Sequence, residues 1–346
     1  MTPDPLPSIQ QGLHAACVTA LGEDAAAAEG DLANRLRLHV GGWTDVSYRD
    51  NDIGGRGASF DLDHANLFVD GRLDERFKLF VEAEYEHERD LTGLRDEREF
   101  ELEQAYGEYV HSDALKFRVG KFATRAGYWT PVHWSVIVDT IEVPIHEASR
   151  MLPEQQLGGR IHGSLFPHFA RRLEPSIEYS LALGYGADGL DTGKTEGLNG
   201  GADLRLWSGG RHMLGASYYG QENGELADRE EHNLLLYGQL TLPGGFLLRS
   251  EYLHQWRDDR PGYVRDADVV YAKLRWDVHR RAYLNYRFEI GDDDRYGYTA
   301  DHVAHTVTLG VRPVPRVIAK LETAFHDYDG GIGSYVSWAA SLGLLF

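Results

Sequence analysis

Residues 334–346 read SYVSWAASLGLLF. Taken alternately, Val336, Trp338, Ala340, Leu342, Leu344 and Phe346 fall on one side, and Tyr335, Ser337, Ala339, Ser341, Gly343 and Leu345 on the other. A period of two with two unlike faces is the mark of a β-strand. Termini fray unless something ties them down. A strand that runs to Phe346 therefore predicts pairing with a first strand near Arg35–Tyr48, which would close a barrel.

The same alternation recurs upstream. FKLFVEAEYEHE sets Phe77, Leu79, Val81, Ala83 and Tyr85 against Lys78, Glu82, Glu84, Glu86 and Glu88, and AYLNYRFEI sets Leu284, Tyr286, Phe288 and Ile290 against Asn285, Arg287 and Glu289. Sixteen such segments are read: 36–48, 59–70, 76–88, 99–111, 115–124, 157–167, 173–186, 197–208, 211–221, 231–243, 245–258, 264–278, 280–293, 300–313, 315–329 and 334–346. Many run ten residues or more, the length of a tilted strand crossing a bilayer and longer than a sandwich strand. Connections alternate strictly between short ones such as HSDA, WSGGR and LPGGF and longer polar ones such as RDNDIGGRGAS and QENGELADREE. The fold class is all-β: a transmembrane antiparallel barrel of about 16 strands, with short periplasmic turns and long outer loops. A bulge is expected within 99–111, where Gln104 or Glu108 meets the apolar side in one register. Tyr106, Tyr109, Tyr218, Tyr219, Tyr252, Tyr263, Tyr296, Tyr298, Tyr328 and Trp338 lie near segment ends and read as interface girdles.

Composition fits this reading. The chain has 346 residues, 54 acidic against 35 basic, and a net charge of −19; its mean hydropathy is −0.42. No apolar run suits a spanning helix, but a barrel averages a wet lumen with a lipid-facing belt. The acid excess and the lack of a basic run argue against nucleic acid. One cysteine, Cys17, excludes an internal disulfide and a CxxCH haem site. Residues 1–33 carry an alanine tract without the basic and apolar regions of a secretory signal, and read as an N-terminal extension or leader remnant ahead of a barrel domain at 34–346.

Within LEQAYGEYVHSDALKFRVGKFATRAGYW, the elements Ala105-Tyr106, Leu115, Gly120-Lys121-Phe122 and Gly127 resemble the bacterial porin family that includes the phosphate-selective porins O and P; Arg125-Ala126 stands where that family often has Pro-Phe. The motif covers only 102–129. The resemblance implies a Gram-negative outer-membrane channel, a homotrimer set in lipid, and passage of small solutes without a cofactor. The terminal strand ending in Phe346 is similar to the signal read by the barrel assembly machinery.

The longest connection, 125–156, is too apolar for a freely solvated segment, with Trp129, Trp134, Val136, Ile137, Val138 and Ile141. It reads as folding into the barrel, and the resemblance implies that this third loop forms the constriction; an outer lid or a subunit contact would use the same residues. It offers Arg125, His133, Asp139, Glu142, His146, Glu147 and Arg150. Lys116, Arg118, Arg160, Arg249, Lys273, Arg275, Arg287, Arg312 and Lys320 are predicted to line the pore. Lys116/Arg118 and Lys273/Arg275 would form short basic ladders. Those ladders could be an anion or phosphate track, or wall charges paired with Glu82, Glu84, Glu86, Asp277, Glu289 and Glu322 in a weakly cation-selective diffusion pore. His133, His146, Glu142 and Glu147 lack tight ligand spacing, so no metal is expected. No GxSxG or HExxH stretch supports an enzyme. A sheath for a partner protein remains the alternative to a channel.

Overall fold

A computed structural model describes residues 37–52, 58–89, 96–132, 134–149, 151–166, 174–186, 196–223, 229–260, 263–293, 300–329 and 333–346. The expectations for residues 1–33, and for Tyr296 and Tyr298, lie outside them.

Alternation of side chains makes each segment a strand with one wet and one dry face, and the ladder joins them in chain order. The strands are β1 (Arg37–Asn51), β2 (Ser59–Arg72), β3 (Phe77–Arg89), β4 (Asp96–Ser112), β5 (Leu115–Ala123), β6 (Gln155–Leu165), β7 (Pro175–Gly186), β8 (Glu196–Ser208), β9 (His212–Asn223), β10 (Arg229–Leu242), β11 (Phe246–Arg260), β12 (Tyr263–His279), β13 (Ala282–Asp293), β14 (Ala300–Val311), β15 (Val317–Tyr328) and β16 (Tyr335–Leu345). Every neighbour is antiparallel, and the sheet closes on itself through β1 and β16. Closure leaves no sheet edge, which a strand in hydrocarbon requires.

The seam answers why the last strand uses the last residue. Trp43 faces Leu345 and Asn51 faces Ser337 across it. The Phe346 N–H donates to the Gly42 carbonyl at 2.9 Å, and the Gly42 N–H donates back to the Phe346 carbonyl at 3.0 Å. Gly42 must lack a side chain here. A Cβ would sit 2.4 Å from the Asn66 carbonyl oxygen and 2.6 Å from the Phe346 ring.

The outward face is apolar: Val119, Leu181, Leu183, Leu214 and Leu321 are each more than half exposed. So continuous an apolar belt would not persist in water. Inward positions alternate with it, and β15 is the plainest case, with buried Ile318, Lys320, Glu322, Ala324, His326 and Tyr328. Polar groups also face out, each with a partner on the next strand: Tyr218 with His232 (2.8 Å), Tyr252 with Asp268 (2.6 Å) and Tyr286 with His305 (2.8 Å).

Several expectations are corrected. Tyr106, Tyr219 and Tyr328 are not girdle residues. Tyr106 lies under the Arg118 guanidinium, Tyr219 is buried, and Tyr328 stacks on His302 inside the bore. The alternation of connections breaks twice. The β6–β7 connection spans 166–174, whereas β11 and β12 continue their ladder to Arg260 and Tyr263, leaving two residues where a long loop was expected. The expected bulge is in β4: the register shifts between Glu82 and Glu84, which face Gln104 and Glu101. One extra residue flips the facing pattern. Glu101, Glu103 and Gln104 thus all bond to bore-facing partners, as described below.

Candidate functional site

The bore-facing side chains converge on the β5–β6 connection, residues 124–154. It begins where β5 ends, with the Thr124 N–H donating to the Glu154 carbonyl, so the two stems of the loop stay tied together. Arg125 then reaches across to Glu178 of β7 (2.5 Å) and Asp203 of β8 (3.0 Å). Gly127 follows with φ +67, and a Cβ there would strike Glu251 Oε1 at 1.7 Å. The left-handed conformation and the close approach both demand glycine. Its N–H donates to Ser217 (3.0 Å), and its carbonyl accepts from Arg205 (2.9 Å). The next N–H, of Tyr128, donates to Glu251 (3.1 Å).

Apolar contacts then carry the connection over the wall. Ala126, Tyr128, Ile145, Met151 and Leu152 pack on Met213, Leu235, Leu253 and Val269 of β9–β12. Trp134 and Val136 pack on Trp43 and Phe68 on one side of the seam and on Tyr283 and Ile318 on the other. A short 3-10 turn (Thr130–Val132) and a one-turn helix α1 (Ile145–Ala148) punctuate the path.

Asp139 is the electrostatic centre. Its carboxylate lies 2.5 Å from Arg275, 3.2 Å from Lys273 and 3.2 Å from Arg249, and it is only 2% exposed. Burial alone would raise its pKa, but the charges of Lys273, Arg275 and Arg249 hold it far below the usual carboxylate range. Farther along, Glu142 meets His326 (3.3 Å) and accepts from Ser337 (2.7 Å). The N–H groups of Ile141 and Glu142 both donate to Glu322. His146 is buried and stacks on Tyr271; burial first, and then the Arg287 charge, pulls its pKa down to about 3, so it is neutral at pH 7. Glu147 accepts from Thr130 at 2.5 Å.

The predicted basic residues are thereby placed individually. Arg287 bonds to Thr140, to the Glu142 carbonyl (2.7 Å) and to the Val143 carbonyl, and pairs with Glu289 (2.7 Å). Lys320 donates to the carbonyls of Ser135 (2.6 Å) and Thr140 (2.8 Å). Arg312 donates to the Val136 carbonyl at 3.1 Å. Arg249 lies over Tyr128, Lys273 over Trp129 and Arg275 over Tyr283. Six predicted pore cations thus hold the connection itself, which occupies donors that an anion track would need.

Arg118, Arg160 and Lys116 stand elsewhere, on β5 and β6. Arg118 pairs with Glu108 (2.7 Å), which also contacts His162 (2.9 Å). Arg160 donates to the Ala123 carbonyl and covers the Phe122 ring. Lys116 sits opposite His162 near the short turn. On the same wall, Asn66 and Gln104 donate to Glu82 (2.7 and 2.6 Å), Lys121 pairs with Glu101 (2.7 Å), and Gln155 donates to Glu103. His133 and Arg150 lie outside the described residues. Glu251, Asp203 and Tyr237 are anchors that the sequence reading missed; Asp203 accepts from Ser217 (2.7 Å) and Tyr237. Their inward parity was the available signal.

No family model and no curated protein sequence matches the chain. Solved structures do. An anion-selective porin from Comamonas acidovorans superposes with a TM-score of 0.65 at 12% identity, over 90% of this chain and 100% of that one. The outer membrane channel DcaP of Acinetobacter baumannii gives 0.61 at 10% identity, over 93% and 100%. OmpT, an outer membrane protein of Vibrio cholerae in its trimer form, gives 0.62 at 10% identity, over 90% and 99%. At these identities the likeness is one of fold, and the fold is that of bacterial outer-membrane barrels.

Proposed function

We propose that the protein is a passive porin-type channel of the bacterial outer membrane, narrowed by the β5–β6 connection and admitting small hydrophilic solutes. The observation that carries this reading is a closed barrel, apolar outside and polar within, whose longest connection bonds to bore-facing side chains from β7 to β16. The neighbours named as a porin and an outer membrane channel support it, and a homotrimer accords with the trimer form of one of them.

The charge placement favours a weak preference for cations over a phosphate track. The Lys273/Arg275 ladder is engaged by Asp139. The wall of β2–β6 gathers Glu82, Glu84, Glu101 and Glu103, with Lys121 paired to Glu101 and Arg118 already held by Glu108. Acidic groups along a narrow polar path in a low-dielectric wall raise the local cation concentration.

Current through the purified protein in a planar bilayer, under a potassium chloride gradient, tests both parts. Discrete conductance steps are expected, with a zero-current voltage of cation-selective sign. No steps would overturn the channel reading; an anion-selective sign would overturn the cation preference alone.

A further inference from the structure

At the end of the barrel that carries the short turns stands a basic cluster outside the bore contacts described above. The β12–β13 turn reads HRRA over His279–Ala282, and the β14–β15 connection reads RPVPR over Arg312–Arg316. The two are fastened to each other: the Arg312 N–H donates to the Arg281 carbonyl (2.7 Å), and Arg281 Nη1 donates to the Pro313 carbonyl (2.8 Å). Arg280, Arg281 and Arg316 are all exposed, and none of them meets a carboxylate among the described residues. Residues 277–282 and 311–317 contain one acid, Asp277, and Arg275 holds it at 2.7 Å. Arg312 turns the other way, into the bore, to the Val136 carbonyl.

Beside these guanidinium groups the surface turns apolar. Trp276, Val278 and Val314 are each more than 40% exposed, and Trp276 stacks on Phe246 of the adjoining strand with ring centres 5.6 Å apart. Exposed aromatic rings at a strand end mark the level where hydrocarbon gives way to headgroups. Three arginines just past that level, with no counter-charge of their own, stand where lipid phosphates lie. The planar fork of a guanidinium matches phosphate oxygens. A net negative headgroup suits the cluster better than a zwitterionic one, whose amine would oppose it. An acidic protein would leave the apolar collar uncovered, whereas acyl chains cover it. We propose that Arg280, Arg281 and Arg316, bordered by Trp276, Val278 and Val314, bind the phosphate of an anionic phospholipid in the periplasmic leaflet. The site lies at the rim of the barrel and stands whether or not the bore conducts.

Native mass spectrometry of the detergent-solubilised protein, titrated with phosphatidylglycerol and with phosphatidylcholine of equal chain length, tests it. Phosphatidylglycerol should bind the more tightly, and the difference should shrink in high salt. With each arginine worth a factor of about five, Arg280→Gln, Arg281→Gln and Arg316→Gln together should weaken phosphatidylglycerol binding by roughly one to two orders of magnitude and leave phosphatidylcholine little changed. Arg211→Gln, which removes an exposed arginine from the β8–β9 turn, should alter neither. All these positions are exposed, so each variant should keep the heat-dependent gel shift of the folded barrel. Equal affinity for the two lipids, an unaltered preference in the triple variant, or displacement of phosphatidylglycerol by millimolar inorganic phosphate would each overturn the proposal.

Discussion

Replacing Asp139 by Asn removes one charge and almost no volume. In the native protein this carboxylate is shared by Arg275, Lys273 and Arg249 at 2.5, 3.2 and 3.2 Å, out of contact with water. Taking away one member of a buried ionic cluster leaves the others uncompensated, at a cost of about 3–5 kcal/mol. The barrel ladder does not pass through Asp139, so the cost falls on the docking of the connection and not on the sheet. At about 1.4 kcal/mol per tenfold, the undocked population rises by roughly two to three and a half orders of magnitude. Asp139→Asn should therefore give larger and noisier conductance steps in planar bilayers, with an unchanged heat-dependent gel shift. Proteolysis should cut within 130–150 in the variant and spare the native protein. The pH dependence has a definite sign. A carboxylate whose folded-state pKa is depressed contributes fully above its ordinary value near 4 and loses the contribution only as pH falls toward the folded pKa. This contact should hold the wild-type connection across the neutral and mildly acidic range. A variant with wild-type conductance, noise and protease resistance would refute the reasoning.

Other outcomes follow from the same contacts. His146, with its pKa pulled down to about 3 against an ordinary 6.5, takes up a proton more readily when the connection is undocked. Docking should thus weaken as pH falls below about 6.5, by at most ~1.4 kcal/mol per unit; conductance noise should rise there, and His146→Phe, which keeps the stack on Tyr271, should flatten the response. Gly42→Val places a branched side chain against the Asn66 carbonyl and the Phe346 ring, and should lower the stability of the seam by about 1–3 kcal/mol, seen as a lower midpoint of the heat-dependent gel shift with strand content unchanged by circular dichroism. The double change Glu82→Gln, Glu84→Gln should move the zero-current voltage toward the anion-selective side; no movement would exclude the β2–β4 wall from the path. Arg118→Ala strips the Glu108 carboxylate of its guanidinium and should move the voltage the opposite way.

The barrel was legible because its signal is periodic. Lipid outside and water inside force each strand to alternate, and the sixteen segments read from alternation coincide with the sixteen strands to within a few residues. Ends were harder. β11 and β12 keep their ladder to Arg260 and Tyr263, and β10 stays paired with β11 as far as Asp258, beyond the segments that alternation marked. Inward apolar residues were also hidden, since Leu235, Leu253 and Val269 carry the same chemistry as a lipid-facing side chain and differ only in parity. The apolar content of 125–156 signalled that it packs on something, but no local pattern names partners more than a hundred residues away. For the same reason the cations of β11–β15 read equally well as a solute track and as anchors. Asp139 tells the two apart only once it is seen among Arg249, Lys273 and Arg275.

The connection leaves the wall after the fifth strand, yet its fastenings are written near the other end of the chain. Glu142 is 180 residues from Glu322 and 195 from Ser337, and Val136 is 176 from Arg312. During assembly, strands added in order would present the first five long before these partners exist. The loop can fasten early only through its stems, on β7 to β12, while residues 136–142 must wait until the final strands arrive and β16 meets β1. On the proposed function, narrowing of the bore is then the closing event of assembly, and a barrel stalled short of its last strands would be a wide one.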